Sequence, residues 1–315
     1  MSAEAHLEFA CFGGEVSLHV RAADEDEGRR MAEQSRELLL DAHQRLSRFE
    51  PGSELSRLNR DPRAEIPASP LLRRLVAAVL TAGSRSGGLV DGTLLDAIER
   101  AGYERSLDGT EPPTVSRSQL AAQEQAPARP NATADWCAVG IDARAGTVIR
   151  PPGVRIDGGG IAKGLLADLV GEELAAAKAY AVDCCGDIRL GGSSRLTRRI
   201  RVDDPFGTEP LHEFEISQGA VATSGITRRS WGENGVSLAH QILDPATGRP
   251  AFTGIVQASA LAPTALEAEI FAKSALLSGP EGAARWLPFG GVLVTVEGEA
   301  EVIGATQSLA EAVAA

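Results

Sequence analysis

The sequence has no excess of positive charge and no apolar run long enough to cross a bilayer. Its 315 residues include 31 lysines and arginines against 43 aspartates and glutamates, a net charge of −12. This balance argues against nucleic acid or an anionic membrane as a partner. A protein this acidic binds a diphosphate only through local cations, a metal ion or backbone amides.

Cysteine patterns and export signals are also lacking. The four cysteines (Cys11, Cys137, Cys184 and Cys185) form neither a C-x-x-C pair nor a disulfide ladder, which fits a reducing compartment. The first residues show no basic segment followed by an apolar one, and no cysteine for lipid attachment. We therefore expect a cytoplasmic protein without a membrane partner.

Helical and strand patterns are mixed along the chain without regular alternation, which predicts the α+β class. Helices are predicted over 24–49, with Met31, Leu38, Ala42, Leu46 and Phe49 facing inward, from Ser69-Pro70 to Gly87-Gly88, and from the capping box of Thr264 and Glu267 to about Ser278. Hairpins are predicted over 6–21 and 292–303, and strands over 136–139, 148–156, 181–188, 200–202 and 214–216. The segment 106–134 has no period and is predicted to be a mobile surface loop or insertion.

The most informative segment is 156–164, which reads Ile-Asp-Gly-Gly-Gly-Ile-Ala-Lys-Gly. Strand-like residues precede it and an apolar run at helical spacing follows it. Glycines at such a turn let the backbone approach a ligand, the free N–H groups of the new helix favour anions, and Lys163 adds a cation. The order of residues matches neither a Walker loop nor a dinucleotide fingerprint. Taken alone, a tight turn packed for structural reasons is an equally good interpretation.

Five further blocks accompany this turn. They are LSRFEPGSELSRLN at 46–59, GLVDGT at 88–93, DCCGDI at 183–188, VATSG at 221–225 and DPATGRP at 244–250. Together and in this order, the six blocks resemble the motifs of the ApbE family of FAD:protein FMN transferases.

The resemblance implies a single ApbE-like (T-fold-like) FAD-binding domain over residues 1–315 that cleaves the diphosphate of FAD. FMN then passes to a Thr or Ser hydroxyl of an acceptor flavoprotein and AMP leaves, although some relatives release FMN to water. The cofactor-binding residues implied by the matching motifs are Asp91, Gly92, Thr93, Asp157, Gly159, Gly160, Lys163, Gly186, Asp187, Ser224, Gly225, Asp244, Thr247 and Gly248.

The sequence departs from the family pattern at the implied metal site. The family binds magnesium through a backbone carbonyl, here that of Ala162, and through an Asp and a Thr four residues apart, here Glu269 and Lys273. Glutamate can still bind the ion, whereas an ammonium is a donor without a lone pair. Three interpretations stay open: magnesium held by Ala162 and Glu269, a Lys273 ammonium that takes the place of the metal and contacts the diphosphate, or an ordinary i,i+4 surface pair.

A second departure concerns the proton acceptor. The family commonly has a histidine three residues before Asp244, where this chain has Gln241, and His240 stands one residue earlier. On a strand, an offset of one residue turns a side chain to the opposite face, so a bulge is needed to bring His240 to the site. We hypothesise catalytic roles for His240, Asp244 and Lys273. A partly exposed histidine at a strand end is the alternative.

Three functions fit these observations. The first is FMN transfer from FAD, or FAD hydrolysis to FMN and AMP, with altered metal chemistry. The second is flavin or nucleotide binding without turnover, and the third is a protein-interaction module that keeps only the fold. The retained ligand-binding blocks favour the first two, and the sequence does not identify an acceptor protein.

Overall fold

A computed structural model describes residues 4–105, 115–231 and 238–314. Its strands, in chain order, are β1 Ala5–Cys11, β2 Gly14–Arg21, β3 Glu65–Pro67, β4 Gly140–Asp142, β5 Thr147–Ile149, β6 Ala179–Cys184, β7 Asp187–Gly191, β8 Arg198–Asp203, β9 Pro210–Ile216, β10 Gly219–Gly225, β11 Ser230–Trp231, β12 Ala239–His240, β13 Leu243–Asp244, β14 Arg249–Pro250, β15 Ile255–Ala262, β16 Gly291–Thr295 and β17 Ala300–Ile303. The helices are α1 Glu25–Leu46, α2 Glu54–Arg60, α3 Pro70–Ser86, α4 Leu95–Arg100, α5 Arg117–Ala121, α6 Ala162–Glu173, α7 Ala265–Ala283, which is interrupted at Gly279, and α8 Leu309–Ala314. Short 3₁₀ helices span Asp135–Ala138 and Ala284–Trp286.

An antiparallel sheet forms the centre of the described part of the chain. Its eight strands lie in the order β1-β2-β6-β7-β10-β15-β16-β17, and each neighbouring pair is antiparallel. Smaller ladders join β3, β5 and β4, β8 and β9, β11 and β12, and β13 and β14. The sheet therefore takes strands from both ends of the chain.

Helices α1, α6 and α7 pack on this sheet, and α3 packs on all three of them. Buried side chains of β2 (Val16, Leu18 and Val20) alternate with less buried ones, as expected for a strand with one face on the core. Strand β15 is buried along its whole length, because it is central in the sheet and α7 covers it. None of the described helices is long and apolar enough to cross a membrane.

Several predicted elements are confirmed. The first hairpin turns at Phe12-Gly13, and the closing one joins β16 to β17. Helix α3 begins at the Ser69 cap with Pro70 in its first turn and ends at Gly87, whose φ of 61° suits a glycine. The Thr264 side chain accepts from the Glu267 N–H at the start of α7.

Other predictions were wrong for identifiable reasons. Residues 135–138 form a 3₁₀ helix instead of a strand, and the strand predicted over 148–156 ends at Ile149. The strand predicted over 181–188 is two strands, because Cys185 and Gly186 take positive φ and turn the chain. In α1 the most buried large side chain is Leu39, while Met31 and Leu38 are half-buried and Phe49 lies beyond the helix end.

Residues 106–114 of the predicted mobile surface loop or insertion lie outside the described ranges, and most of residues 115–134 are exposed, as predicted for a surface segment. Helix α5 carries the buried Leu120, and Ala128 is also buried. The Ala126 N–H donates to Phe252 O and the Ala128 N–H to Leu277 O. This half of the segment is therefore tied to the core by backbone hydrogen bonds.

Candidate functional site

A cleft of about 1060 Å³ opens between the glycine turn before α6, the β6–β7 turn, the end of β10 and the loop after α1. It collects many residues that sequence reasoning proposed from separate motifs. Those that line it are Asp91, Gly92, Asp157, Gly159, Gly160, Ala162, Lys163, Gly186, Ser224, Gly225, Glu269 and Lys273. Clefts of this size are typical of small-molecule sites.

The glycine turn is close-packed on three sides. A Cβ atom on Gly158 would lie 2.8 Å from Leu75 Cδ1, and one on Gly160 would lie 3.2 Å from Lys273 Cε. The Gly159 N–H donates to Asp157 Oδ1 over 3.0 Å. Residues 154–156 have no strand pairing, so the predicted strand before the turn is wrong. The turn is held instead by a 2.8 Å hydrogen bond from the Asp157 N–H to Gly92 O.

Lys163 lies in the first turn of α6 and pairs with Asp187 at the start of β7. Its Nζ is 2.5 Å from Asp187 Oδ2, and the Asp187 side chain is only 1% exposed. Burial lowers the pKa of Lys163, but the carboxylates of Asp187 and Glu269 outweigh burial and raise it overall. Lys163 therefore stays charged, and Asp187, which does not itself line the cleft, holds the ammonium in place.

Glu269 and Lys273 lie one turn apart on α7 and face the same cleft. Lys273 Nζ is 3.0 Å from Glu269 Oε1, and Glu269 Oε2 accepts the Gly164 N–H over 3.0 Å. Burial raises the pKa of Glu269, and the Asp187 carboxylate raises it further. Lys273, Lys163 and the hydrogen bond from the Gly164 N–H lower this pKa and so oppose the shift. The Glu269 carboxylate is thus shared between Lys273 and the start of α6.

This donor set does not fit the magnesium ion that the family resemblance implies. Both Glu269 oxygens already have hydrogen-bond donors, and Lys273 brings a positive charge with no lone pair. Within the described residues, no group of three or more His, Cys, Asp or Glu side chains is placed to hold a metal. The interpretation of Ala162 and Glu269 as metal ligands therefore finds no support in the geometry.

Three side-chain oxygen atoms of residues that line the cleft are buried. Within the described part of the chain, they have no hydrogen-bond partner. They are Asp91 Oδ2, Ser224 Oγ and Gln241 Oε1. The other Asp91 oxygen accepts from the N–H and hydroxyl of Thr93, which supports the loop without lining the cleft. Burial raises the pKa of Asp91, although the Thr93 hydrogen bonds oppose it. Buried polar atoms are rarely left unpaired, so these three indicate a polar ligand.

An arginine and three aromatic rings also line the cleft, and no sequence signal identified them as a group. Arg48 stacks over Phe49 and Tyr103, with its guanidinium carbon 4.1 and 4.7 Å from the ring centroids. Tyr103 stacks on Trp231 at 5.2 Å and 28°. Arg48 Nε also lies 3.6 Å from Asp157 Oδ1. The loop after α1, the chain after α4 and strand β11 meet here, so only the tertiary fold assembles this wall.

The β6–β7 turn brings Asp183, Cys185 and Gly186 to the cleft. Asp183 Oδ1 accepts the Gly186 N–H over 2.6 Å, and burial raises the Asp183 pKa against the effect of this bond. Burial also raises the pKa of the Cys185 thiol to about 11. The thiol is therefore protonated at neutral pH.

His240 does not reach the cleft, contrary to the hypothesis of a catalytic histidine. Its ring is fully buried, stacks edge-on against Phe252 at 4.9 Å, and accepts the Ile242 N–H through Nδ1. Burial lowers its pKa to about 3. Gln241 lines the cleft instead, from the bend that follows the two-residue strand β12.

The residues from the 244–250 motif also lie outside the cleft lining. Asp244 Oδ1 accepts the N–H groups of Arg129 and Ala246, and its Oδ2 accepts the Thr247 hydroxyl. Gly248 has a φ of 65°, which closes the turn between β13 and β14. These contacts give Asp244, Thr247 and Gly248 a role in fixing this turn and the segment at 129, and their contact with flavin stays a prediction.

The chain is similar to known proteins along most of its length. A sequence model of the ApbE family matches residues 12–294. An FAD:protein FMN transferase of Haemophilus influenzae is 28% identical over 275 residues, which are 81% of this chain and 75% of that protein. One of Treponema pallidum is 32% identical over 146 residues, and this alignment spans 41% of this chain and 39% of that protein.

Solved structures show the same fold. The ApbE protein of Thermotoga maritima superposes with a TM-score of 0.78, at 23% identity, over 95% of this chain and 97% of that one. The flavin transferase ApbE of Vibrio cholerae gives a TM-score of 0.71 at 19% identity over 97% and 98% of the two chains. The predicted α+β class and ApbE-like architecture are confirmed.

Proposed function

This chain belongs to the ApbE family, and we propose that it transfers FMN from FAD to a Thr or Ser hydroxyl of a partner protein. The hydroxyl oxygen would form a bond to the FMN phosphorus, the bridging P–O bond would break, and AMP would leave. The hydroxyl proton would pass to solvent or to the leaving phosphate. The names of the Haemophilus and Treponema relatives support this activity.

The observation that carries the proposal is the composition of the cleft. In a chain with a net charge of −12, it places Lys163 and Lys273 beside a close-packed glycine turn. Two negative phosphates could meet these ammonium groups, and charge that develops on the leaving AMP would be stabilised by donors already in position. The unpartnered oxygens of Asp91, Ser224 and Gln241 offer hydrogen bonds to the rest of a polar ligand.

A second candidate is FAD binding without transfer, or with slow hydrolysis to FMN and AMP. It is favoured by Gln241, because an amide is no base near neutral pH, and by the burial of His240 away from the cleft. A transferase of this kind needs another proton acceptor for the attacking hydroxyl.

Incubation of the purified protein with FAD tests the proposal and separates its alternatives. We expect AMP release, measured by chromatography of FAD, FMN and AMP. Flavin fluorescence on a denatured protein band after addition of cell extract would indicate transfer, whereas free FMN would indicate hydrolysis. Calorimetry that detects no FAD binding, with or without magnesium, would overturn the proposal.

Ser224→Ala is a sharper test of ligand contact. Because Ser224 Oγ is buried without a partner, the substitution should leave the free energy of unfolding unchanged or raise it. If the hydroxyl bonds to FAD, affinity should fall about three- to tenfold. Thr223→Val is the matched control, since the Thr223 hydroxyl already pairs with Ser259 Oγ at 2.7 Å. Unchanged FAD affinity in Ser224→Ala would place the flavin elsewhere.

The proposal extends to the setting of the protein. We propose a cytoplasmic location, which the spacing of the four cysteines supports, because it shows no disulfide ladder and disulfides are rare in reducing compartments. The acceptor would be a flavoprotein with an exposed Thr or Ser that can enter the cleft.

A further inference from the structure

Four charged side chains from three elements converge at one end of the cleft. Lys163 of α6 pairs with Asp187 of β7, and Lys273 of α7 pairs with Glu269 of the same helix. The two carboxylates are 1% exposed and the two lysine side chains 16% exposed. The acids therefore lie in the protein, while the ammonium groups lie at the cleft surface. This arrangement presents positive charge to a ligand and keeps negative charge behind it.

The Glu269–Lys273 pair is not an ordinary surface pair. Exposed i,i+4 pairs hold both side chains in water, whereas Glu269 is buried beneath the start of α6. The Lys273 stem lies against the glycine turn, because a Cβ on Gly160 would come within 3.2 Å of its Cε. The surface-pair interpretation of these two residues is therefore wrong, and Lys273 belongs to the cleft.

The two basic side chains at this end of the cleft are lysines, a residue type that is rare in this chain. The chain has only three lysines among its 31 basic residues, and two of them are Lys163 and Lys273. A compact ammonium concentrates its charge at one point, whereas a guanidinium is wide and planar. A point charge next to a close-packed glycine turn can face a phosphate as a bound cation would.

We propose that Lys273 stands in place of a metal ion, so that this protein binds the diphosphate of its ligand through Lys163 and Lys273 without a divalent cation. Glu269 would position Lys273 and the start of α6 instead of coordinating an ion. A magnesium ion within ligand distance of Glu269 would lie close to the Lys273 ammonium, which is 3.0 Å from Glu269 Oε1, and the two positive charges would repel each other strongly. The inference deepens the proposed function, since FAD is the ligand expected there.

The test is calorimetric titration of the full chain with FAD and, separately, with ADP, in EDTA and across a range of magnesium concentrations. For the unmodified protein, we expect affinities that change by less than about threefold between EDTA and magnesium. Lys273→Met should weaken binding of both ligands about tenfold to hundredfold, as for the loss of a charged hydrogen bond. Lys273→Thr should restore a ligand oxygen and make binding depend on magnesium.

Two further variants control for folding and for general charge. Lys273→Met leaves Glu269 buried without its partner, so Lys273→Met/Glu269→Gln removes both charges and should lose the same affinity while it stays folded. Lys178→Met removes the remaining lysine, which is exposed and does not line the cleft, and should bind like the unmodified protein.

The outcomes separate the inference from the proposed function. Binding of ADP but not of FAD, without magnesium and dependent on Lys273, would refute the FAD-based function and support the inference. A magnesium requirement in the unmodified protein, together with normal binding by Lys273→Met, would overturn the inference and leave the function standing. Failure of both ligands to bind under any condition would overturn both.

Discussion

Gly164→Ala should destabilise the protein by about 3 kcal/mol, and it should weaken FAD binding as well. A Cβ atom at Gly164 would lie 2.6 Å from Ala265 O and 2.9 Å from Leu266 N, which are backbone atoms at the start of α7. Backbone atoms cannot rotate away, so α6 and α7 must separate. This cost exceeds the gain of about 1 kcal/mol that alanine brings to a helix interior.

The same contact sets the position of the two lysines, because Lys163 precedes Gly164 on α6 and Lys273 lies two turns along α7. Separation of the helices also lengthens the 3.0 Å bond from the Gly164 N–H to Glu269. Urea unfolding measures the stability effect and calorimetry the FAD affinity. Gly52→Ala is the control, since nothing lies within 4 Å of a Cβ there. Equal stability of the two variants would show that the α6–α7 contact is not tight.

A second large effect is expected from pH. Between pH 7 and pH 4, His240 alone should remove about 3 kcal/mol from the free energy of unfolding. Its pKa is about 3 in the folded protein because burial lowers it from 6.5. Below pH 6.5, the unfolded chain therefore binds a proton at His240, whereas the ring stays neutral in the folded protein. The contribution of the neutral His240 ring to the free energy of unfolding is complete above pH 6.5 and is lost as the pH falls towards 3.

Urea unfolding at several pH values between 4 and 7 measures this slope. His240→Asn keeps an oxygen that can accept the Ile242 N–H, and His240→Phe keeps an aromatic ring against Phe252. The two variants can differ in stability at pH 7, but both should lose about 3 kcal/mol less than the unmodified protein by pH 4. Three parallel curves would show that His240 titrates normally and is not buried as described.

Local sequence signals identified the helices whose ends carry clear capping residues. Ser69-Pro70 and Gly87 bound α3, and Thr264 begins α7, because caps act through the nearest backbone groups. The central strands β10 and β15 were not predicted at all. Both are rich in alanine, which has little strand preference, and they are strands because the sheet and α7 bury them.

The motifs also predicted the chemical character of the cleft, because the glycine turn, Asp91, Lys163 and Ser224 each carry their own chemistry. The 244–250 motif shows the limit of that approach. Asp244 accepts from Ala246 and Thr247 inside the turn, but its bond with Arg129, 115 positions away in sequence, shows no local signal and is visible only in the tertiary structure.

The sequence by itself determined the family, the acidic charge and the presence of Glu269 and Lys273 at positions where the family resemblance implies metal ligands, since these are matters of residue identity and order. Only the tertiary structure decided the direction of side chains. It turned Gln241 into the cleft and His240 out of it, and it joined Arg48 to the rings of Tyr103 and Trp231. The physical reason is that facing and contact depend on strand pairing and helix packing between segments far apart in the chain, and those long-range contacts leave no local pattern.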